Sequence, residues 1–228
     1  MWFAGQARRG PEAGRPKALR PGFHLERGQR VGLFGGSFNP SHSGHAHVAR
    51  TAMARLGLDR MLWLVSPQNP LKAAGETADL SERMAQTRAL AKTASQGLSM
   101  IVSDLESRIG ARYTIDTLRT LKARHPGVQF VWIMGADNLA QFHRWRGWLQ
   151  IMKLMPVAII ARPGSLLNSR FAPAAKRFAP SRIDDAASRG LASRPAPAWV
   201  YLNAPLNHTS SSAIRAGHRS AKADSDQR

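Results

Sequence analysis

Five short apolar runs alternate with helical patterns along this chain, and the alternation restricts the folds that it can adopt. The runs occupy residues 31–34, 61–65, 130–134, 157–160 and 199–202. Runs of this length and continuous apolar character are typical of strands that are buried on both faces. Apolar residues spaced three and four apart predict covering helices at residues 46–56, 80–94 and 114–123. The order predicts an α/β fold with a doubly wound parallel sheet in a single domain, and ligands then bind beyond the carboxyl ends of the strands.

Composition excludes several classes of protein. The 228 residues, of which 43% are hydrophobic, suffice for one domain with a substantial core. The absence of cysteine excludes disulfides, cysteine-ligated zinc and thiol nucleophiles, and it favours a cytoplasmic location. No apolar run approaches the roughly 20 residues that a helix needs to span a bilayer. We therefore expect neither a membrane segment nor a membrane partner.

The chain carries a formal charge of +19, which favours polyanionic partners. The basic residues are spread along the chain, without a stripe that interleaves them with exposed aromatic residues and without an RNA-binding signature. A site that holds several phosphates accounts for part of the charge. A nucleic-acid-binding protein is the rival hypothesis from another class, and the salt dependence of retention on DNA, compared with saturable ATP binding, distinguishes the two.

The two ends of the chain differ in composition from the middle. Residues 1–28 are rich in arginine, glycine and proline, which predicts a disordered basic extension. An upstream start codon would also account for such a segment. A transit peptide is the alternative, which the prolines disfavour because they interrupt any amphipathic helix. The folded catalytic domain is predicted at 29–217, and residues 218–228 are predicted to be a polar tail.

A segment rich in glycine and histidine follows the first predicted strand, at residues 35–45. Its two glycines let backbone amides approach an anion closely, and the amino terminus of the next helix adds unpaired N–H groups and a favourable dipole. His42 and His45 lie three positions apart at the start of that helix, so both rings can donate hydrogen bonds to one polyphosphate. Each feature alone also fits a tight turn, a metal pair or two solvated histidines. Together they predict a phosphate site.

Three other groups of residues have both a binding and a structural interpretation. Ser210 to Ser212 with Arg215 can bind a phosphate oxygen, or form a plain helix cap with a surface arginine. Asp137, after a predicted strand, can accept hydrogen bonds from ribose hydroxyls, or cap the next helix. Trp145 can stack on an aromatic ring, with a nearby arginine pairing a carboxylate, or belong to the core. The residues alone leave these alternatives open.

Residues 35–45 resemble the GGTFDPxHxGH signature of the nucleotidylyltransferase superfamily, which has a Rossmann-like fold. Ser37 replaces the signature's Thr and keeps the hydroxyl, whereas Asn39 replaces its Asp and loses a charge. Residues 209–215 resemble the second signature, ISSTxIR, with Thr and Ser in place of its Ile and Thr. The resemblance implies that the catalytic residues are His42, His45 and Arg215. It implies that the ATP-binding residues are Gly35, Gly36, Ser37, Phe38, Asp137, Ser210, Ser211 and Ser212.

Four further segments resemble bacterial nicotinate-nucleotide adenylyltransferase. They are Asp137 with a tryptophan eight residues later, Ala-Arg-Pro-Gly at 161–164, an acceptor loop at 66–72, and Arg-Tyr-Thr-Ile-Asp-Thr-Leu at 112–118. Leu71 stands where that loop usually has His before Lys, which changes its contacts with the acceptor. The acceptor-binding residues that the resemblance implies are Lys72, Tyr113, Thr114, Trp145 and Arg162.

The reaction that this resemblance implies is attack by the 5′-phosphate of nicotinate mononucleotide on the α-phosphorus of ATP. The expected cofactor is Mg²⁺ on the ATP phosphates, with no residue predicted as a metal ligand, and the expected partners are the two nucleotides. Pantetheine-phosphate adenylyltransferase is an alternative that shares both signatures but lacks the context of Trp145 and Arg162. A second alternative is a preference for nicotinamide mononucleotide, which differs from nicotinate mononucleotide by one carboxylate. A regulator that kept the pocket and lost the chemistry is disfavoured by His42, His45 and Arg215.

Overall fold

A computed structural model describes residues 22–67, 78–161 and 171–203 of the chain. The strands in these ranges form one parallel sheet in the order β3-β2-β1-β4-β5-β6. The strands are β1 (Arg30–Gly36), β2 (Arg60–Val65), β3 (Met100–Ser103), β4 (Gln129–Gly135), β5 (Val157–Ile160) and β6 (Trp199–Leu202). The predicted α/β fold with a parallel sheet is confirmed.

Helices connect the strands and cover the sheet. They are α1 (Ser43–Leu56), α2 (Leu80–Ser95), α3 (Leu105–Arg108), α4 (Thr114–Arg124), α5 (Ala136–Gln141), α6 (Trp148–Leu154) and α7 (Pro173–Arg177), with 3₁₀ segments at Phe142–Arg144, Ala179–Ser181 and Asp185–Ser193. Neighbouring residues of β1 face opposite sides, because Leu33 packs in one apolar cluster with Trp132 and Phe34 packs in the other with Trp63. Both faces of the sheet are therefore covered, as the continuous apolar runs predict.

The sequence patterns predicted five of the strands and missed β3. This strand lies at the edge of the sheet, has four residues, and is only half-buried over Met100–Val102. It therefore lacks the continuous apolar run that identified the others. In the described ranges, no helix has the length and apolar character that a membrane-spanning segment requires.

The order of the strands fixes where a ligand can bind. The chain runs from β1 outward to β2 and β3 and then returns to place β4 on the other side of β1. The connections on the two sides of β1 diverge at this point, and they leave a crevice beyond the carboxyl ends of β1 and β4. Gly36 ends β1 and Gly135 ends β4, so the segments that follow these residues face the crevice.

Candidate active site

Two glycines end β1, and their role differs in part from the predicted one. Gly35 and Gly36 belong to the strand and pair with β2, whereas the sequence placed them in a loop. A Cβ at position 35 would lie 2.3 Å from Cη2 of Trp132, and one at position 36 would lie 3.2 Å from Cζ of Phe38. The Trp132 ring therefore requires glycine at position 35, since backbone and indole approach too closely for a methyl group. Their predicted contact with ATP stays a prediction.

The side chain of Phe38 is part of the core beneath the histidine pair. It is 1% exposed, and its ring makes edge contacts with Phe34 at 5.4 Å and with His45 at 5.0 Å between centroids. Its backbone has a φ of 45°, an unusual value for a residue with a side chain. The predicted role of Phe38 in ATP binding is therefore restricted to its backbone, and its ring supports His45.

His42 and His45 form a capping box at the amino terminus of α1. His42 is the N-cap residue, and its Nδ1 accepts a hydrogen bond from the backbone N–H of Gly44 at 3.1 Å. The backbone N–H of His42 donates in turn to Nδ1 of His45 at 3.2 Å. The two rings lie 3.9 Å apart between centroids. The structure thus brings the two predicted catalytic histidines together.

The capping box also determines which ring nitrogen carries hydrogen. Because Nδ1 of both His42 and His45 accepts a backbone N–H, the neutral rings carry their hydrogen on Nε2. The two imidazole rings, with centroids 3.9 Å apart, therefore both bring an Nε2–H donor to the amino terminus of a helix of 14 residues. The helix dipole and these donors together favour a negatively charged group at this place.

The predicted acceptor residues in the described ranges come from two segments that contact each other. Tyr113 is the N-cap residue of α4 and Thr114 is its first residue. The guanidinium group of Arg146 lies 4.8 Å from the centroid of the Tyr113 ring. Trp145 is half-buried, and its ring centroid lies 6.4 Å from that of Trp132. Since Trp132 also packs against Gly35, the acceptor residues adjoin the carboxyl end of β1.

Asp137 is exposed and is the second residue of α5, directly beyond the carboxyl end of β4. The N-cap residue of that helix is Gly135, so the alternative in which Asp137 caps the helix does not hold in its usual geometry. β4 is the neighbour of β1, which places Asp137 at the same edge of the sheet as the histidine pair. Its predicted contact with the ATP ribose is compatible with this position.

Six predicted site residues lie outside the described ranges. They are Lys72, Arg162, Ser210, Ser211, Ser212 and Arg215. Their predicted roles in holding the acceptor and the pyrophosphate leaving group stay predictions.

The sequence analysis missed two buried ionisable residues beside the site. Arg83, in α2, is 1% exposed, and its guanidinium group donates four hydrogen bonds to backbone carbonyls. Glu106, in α3, is 6% exposed. Burial raises the pKa of Glu106, and hydrogen bonds from Ser66 and Thr117 oppose this effect. In the sequence, Arg83 reads as an ordinary charge within a helical pattern, and Glu106 lies outside the predicted strands and helices.

Comparison with known proteins gives the class of protein first. The cytidylyltransferase-like family matches residues 33–217. Plasmodium falciparum nicotinic acid mononucleotide adenylyltransferase complexed with NaAD has a similar structure, with a TM-score of 0.61 at 19% identity over 82% of each chain. The same protein complexed with APC gives 0.59 at 18% identity, again over 82% of each chain. These structures confirm the fold, and the family match places the chain among the nucleotidyltransferases.

Bacterial relatives narrow the class to one enzyme family. A protein from Caulobacter sp. (strain K31) is 63% identical over 186 residues, which are 82% of this chain and 96% of the relative. One from Methylorubrum extorquens is 54% identical and covers 82% of this chain and 98% of its own length. Both bear the name "Probable nicotinate-nucleotide adenylyltransferase". The chain belongs to the nicotinate-nucleotide adenylyltransferase family.

Proposed function

We infer that this chain transfers the adenylyl group of ATP to nicotinate mononucleotide and releases pyrophosphate, which makes nicotinate adenine dinucleotide for NAD synthesis. The observation that carries the inference is the pair of adjacent imidazole rings of His42 and His45 at the start of α1, beside the β1–β4 crevice. The names of relatives that are up to 63% identical support the choice of acceptor. The catalytic domain is proposed to extend over residues 29–217.

The reaction requires no nucleophilic side chain, because the acceptor supplies its own. The 5′-phosphate of nicotinate mononucleotide is anionic at neutral pH, and one of its oxygens forms a bond to the α-phosphorus of ATP. The bond from the α-phosphorus to the bridging oxygen of the β-phosphate breaks, and pyrophosphate leaves with the electron pair. His42 and His45 donate hydrogen bonds to the phosphate oxygens, where negative charge shifts during displacement.

The acceptor is proposed to lie between the start of α4 and the 3₁₀ segment Phe142–Arg144. Trp145 stacks on the pyridine ring, since its half-buried ring is held in place by Phe142 at 5.4 Å and Trp132 at 6.4 Å between centroids. Tyr113 and Thr114 position the nucleotide at the amino terminus of α4. Lys72 and Arg162 are proposed to contribute from outside the described ranges.

The leaving group and the ribose of ATP have their own proposed contacts. Asp137 accepts hydrogen bonds from the ribose hydroxyls, which its exposed position beyond β4 allows. Gly35, Gly36 and Ser37 contribute backbone contacts at the end of β1. The pyrophosphate end is proposed to bind residues outside the described ranges, namely Ser210, Ser211, Ser212 and Arg215.

ATP is proposed to enter as its Mg²⁺ complex. Mg²⁺ prefers oxygen ligands in octahedral geometry, and the nitrogen donors of His42 and His45 do not match this preference. The described residues contain no group of three His, Cys, Asp or Glu side chains that could hold a metal ion. Bound to the phosphate oxygens of ATP, as proposed, the ion would neutralise part of their charge. The cytoplasmic location stays a prediction.

A panel of acceptors tests the proposed function. The protein is incubated with ATP, Mg²⁺ and, in separate reactions, nicotinate mononucleotide, nicotinamide mononucleotide or phosphopantetheine, and the released pyrophosphate is measured. We expect the highest kcat/KM with nicotinate mononucleotide. A higher kcat/KM with either of the other acceptors would assign the corresponding activity to the chain instead. Lack of release with all three contradicts the proposed function.

A further inference from the structure

Arg83 joins three separate stretches of chain around the candidate active site. Its Nη1 donates to the carbonyl oxygens of Ser37 at 2.8 Å and Ser66 at 2.7 Å. Its Nη2 donates to the carbonyl of Pro67 at 2.8 Å, and its Nε to that of Ala78 at 2.8 Å. A single planar group thus connects the segment after β1, the segment after β2 and Ala78, which comes just before the N-cap residue of α2.

The chemistry of this position requires arginine. Four of the five guanidinium N–H groups are used, and all four acceptors are backbone carbonyls. Burial lowers the pKa of Arg83, and the charge of Asp79 opposes this effect. A lysine keeps the charge but places its three donors on one atom, so it cannot reach acceptors that are spread around a planar fork. The buried charge is therefore stabilised by the geometry of the fork.

The three stretches are the ones that must be aligned for the reaction. Ser37 begins the segment that leads to His42. Ser66 and Pro67 follow β2, whose last residue Val65 pairs with Gly36. A second contact links the same segments, because Asn39 Oδ1 accepts the backbone N–H of Ala78 at 3.3 Å. Arg83 therefore connects the segment that leads to the histidine pair with Ser66, Pro67 and Ala78, which flank positions 68–77.

We propose that Arg83 is a positioning residue for adenylyl transfer, an assignment that rests on the proposed function. Arg83 is 1% exposed and donates four hydrogen bonds to backbone carbonyls, so it acts through the backbone. Its four bonds fix the segment that carries His42 relative to the end of β2. Because a misplacement of about 1 Å between reacting groups costs about 100-fold in rate, loss of the fork lowers kcat even when both substrates are bound.

Kinetics with Arg83→Lys tests this proposal. We expect kcat at saturating concentrations of both nucleotides to fall by roughly 30- to 100-fold, with each KM within about threefold of wild type. Arg88→Met is the matched control, because Arg88 is an exposed residue of the same helix, and its kcat is expected to stay within about twofold. A loss of kcat below about tenfold in Arg83→Lys overturns the proposal, whatever the change in its Tm.

Amide hydrogen exchange of Arg83→Lys and Arg83→Gln provides an independent measurement without substrate. The amides of Ser66 and Ala78 donate to Gly36 O and Asn39 Oδ1 in the structure, and both are expected to exchange faster, while the central strands stay protected. Faster exchange at only one of the two amides overturns the proposal. If wild type is inactive with every acceptor, the proposed function fails, and the exchange experiment still decides whether Arg83 joins these segments.

Discussion

The ATP side and the acceptor side of this site are built in different ways. The histidine pair is local, because a capping box within four consecutive residues fixes both rings at the start of α1. The acceptor side is assembled from distant segments, since Tyr113 begins α4, Trp145 follows a 3₁₀ turn, and Trp132 lies in β4. The local half depends on helix capping, whereas the distant half depends on core packing.

The two sides meet at Trp132 and at Arg83. The indole of Trp132 contacts both the backbone at Gly35 and the ring of Trp145. Arg83 connects the Ser37 carbonyl with the end of β2. Substitutions in the histidine pair and at Arg83 should therefore lower kcat. Substitutions on the acceptor side, and at Gly35 beside Trp132, should raise the KM for nicotinate mononucleotide.

His45→Ala is expected to have the largest effect. Loss of one Nε2–H donor should lower kcat by about 100-fold or more, the scale for one lost electrostatic stabiliser. The bond from Gly44 to His42 Nδ1 continues to cap α1, so the Tm should change little. His47→Ala is the matched control on the same helix, because His47 Nε2 has no hydrogen-bond partner among the described residues. If His45→Ala and wild type had equal kcat, the proposed role of the histidine pair in the mechanism would be wrong.

Gly35→Ala tests the junction. Its Cβ would lie 2.3 Å from Cη2 of Trp132, so the indole must shift, and overpacking of this kind costs about 1–3 kcal/mol. Urea unfolding should report this loss in the free energy of unfolding, and the KM for nicotinate mononucleotide should rise because Trp132 supports Trp145. Gly190→Ala is the control, since a Cβ there meets no atom within 4 Å. A stable Gly35→Ala protein would show that the ring moves freely.

Trp145→Ala tests the acceptor side. Loss of stacking on the pyridine ring should raise the KM for nicotinate mononucleotide by roughly 3- to 10-fold, from about 0.5–1.5 kcal/mol of ring–ring interaction. The KM for ATP should stay within about twofold. Trp145→Phe keeps an aromatic ring and should recover most of the affinity. An increase confined to the KM for ATP would show that Trp145 belongs to the ATP side of the site and not to the acceptor side.

Glu106→Gln should have the smallest effect, and the effect should depend on pH. Because burial raises the pKa of Glu106 above its unfolded value, its contribution to stability is present below the ordinary pKa of glutamate and is lost as the pH rises through the raised pKa. The neutral variant lacks this loss, so its Tm relative to wild type should increase as the pH rises above about 4.5. A Tm difference between Glu106→Gln and wild type that stays constant over this pH range would contradict the effect of burial.

Sequence patterns predicted the parts of this molecule that depend on local interactions. The apolar runs located β1, β2, β4, β5 and β6, and the spacing of His42 and His45 predicted that both rings can face one ligand. The helix boundary at Ser43 follows from capping by His42. Each of these features is determined by residues that are neighbours along the chain, so its pattern is visible without the fold.

The features that the sequence could not reveal depend on tertiary contacts. Gly35 reads as a flexible residue, yet the Trp132 ring from another strand requires glycine there. Phe38 reads as a ligand contact, although its ring is buried under His45. Arg83 occupies an ordinary position in a helical pattern, and only the fold shows the four carbonyls around it. Burial and partners of this kind are set by segments that are distant in sequence.

Transfer of label from ATP follows the adenylyl group to its product. The protein is incubated with Mg²⁺, nicotinate mononucleotide and ATP that is labelled at the α-phosphate, and the products are separated and identified by mass. We expect the label to appear in nicotinate adenine dinucleotide, and we expect His45→Ala to form this product about 100-fold more slowly. Label that appears only in AMP or stays in ATP, with no dinucleotide formed, would contradict the proposed function.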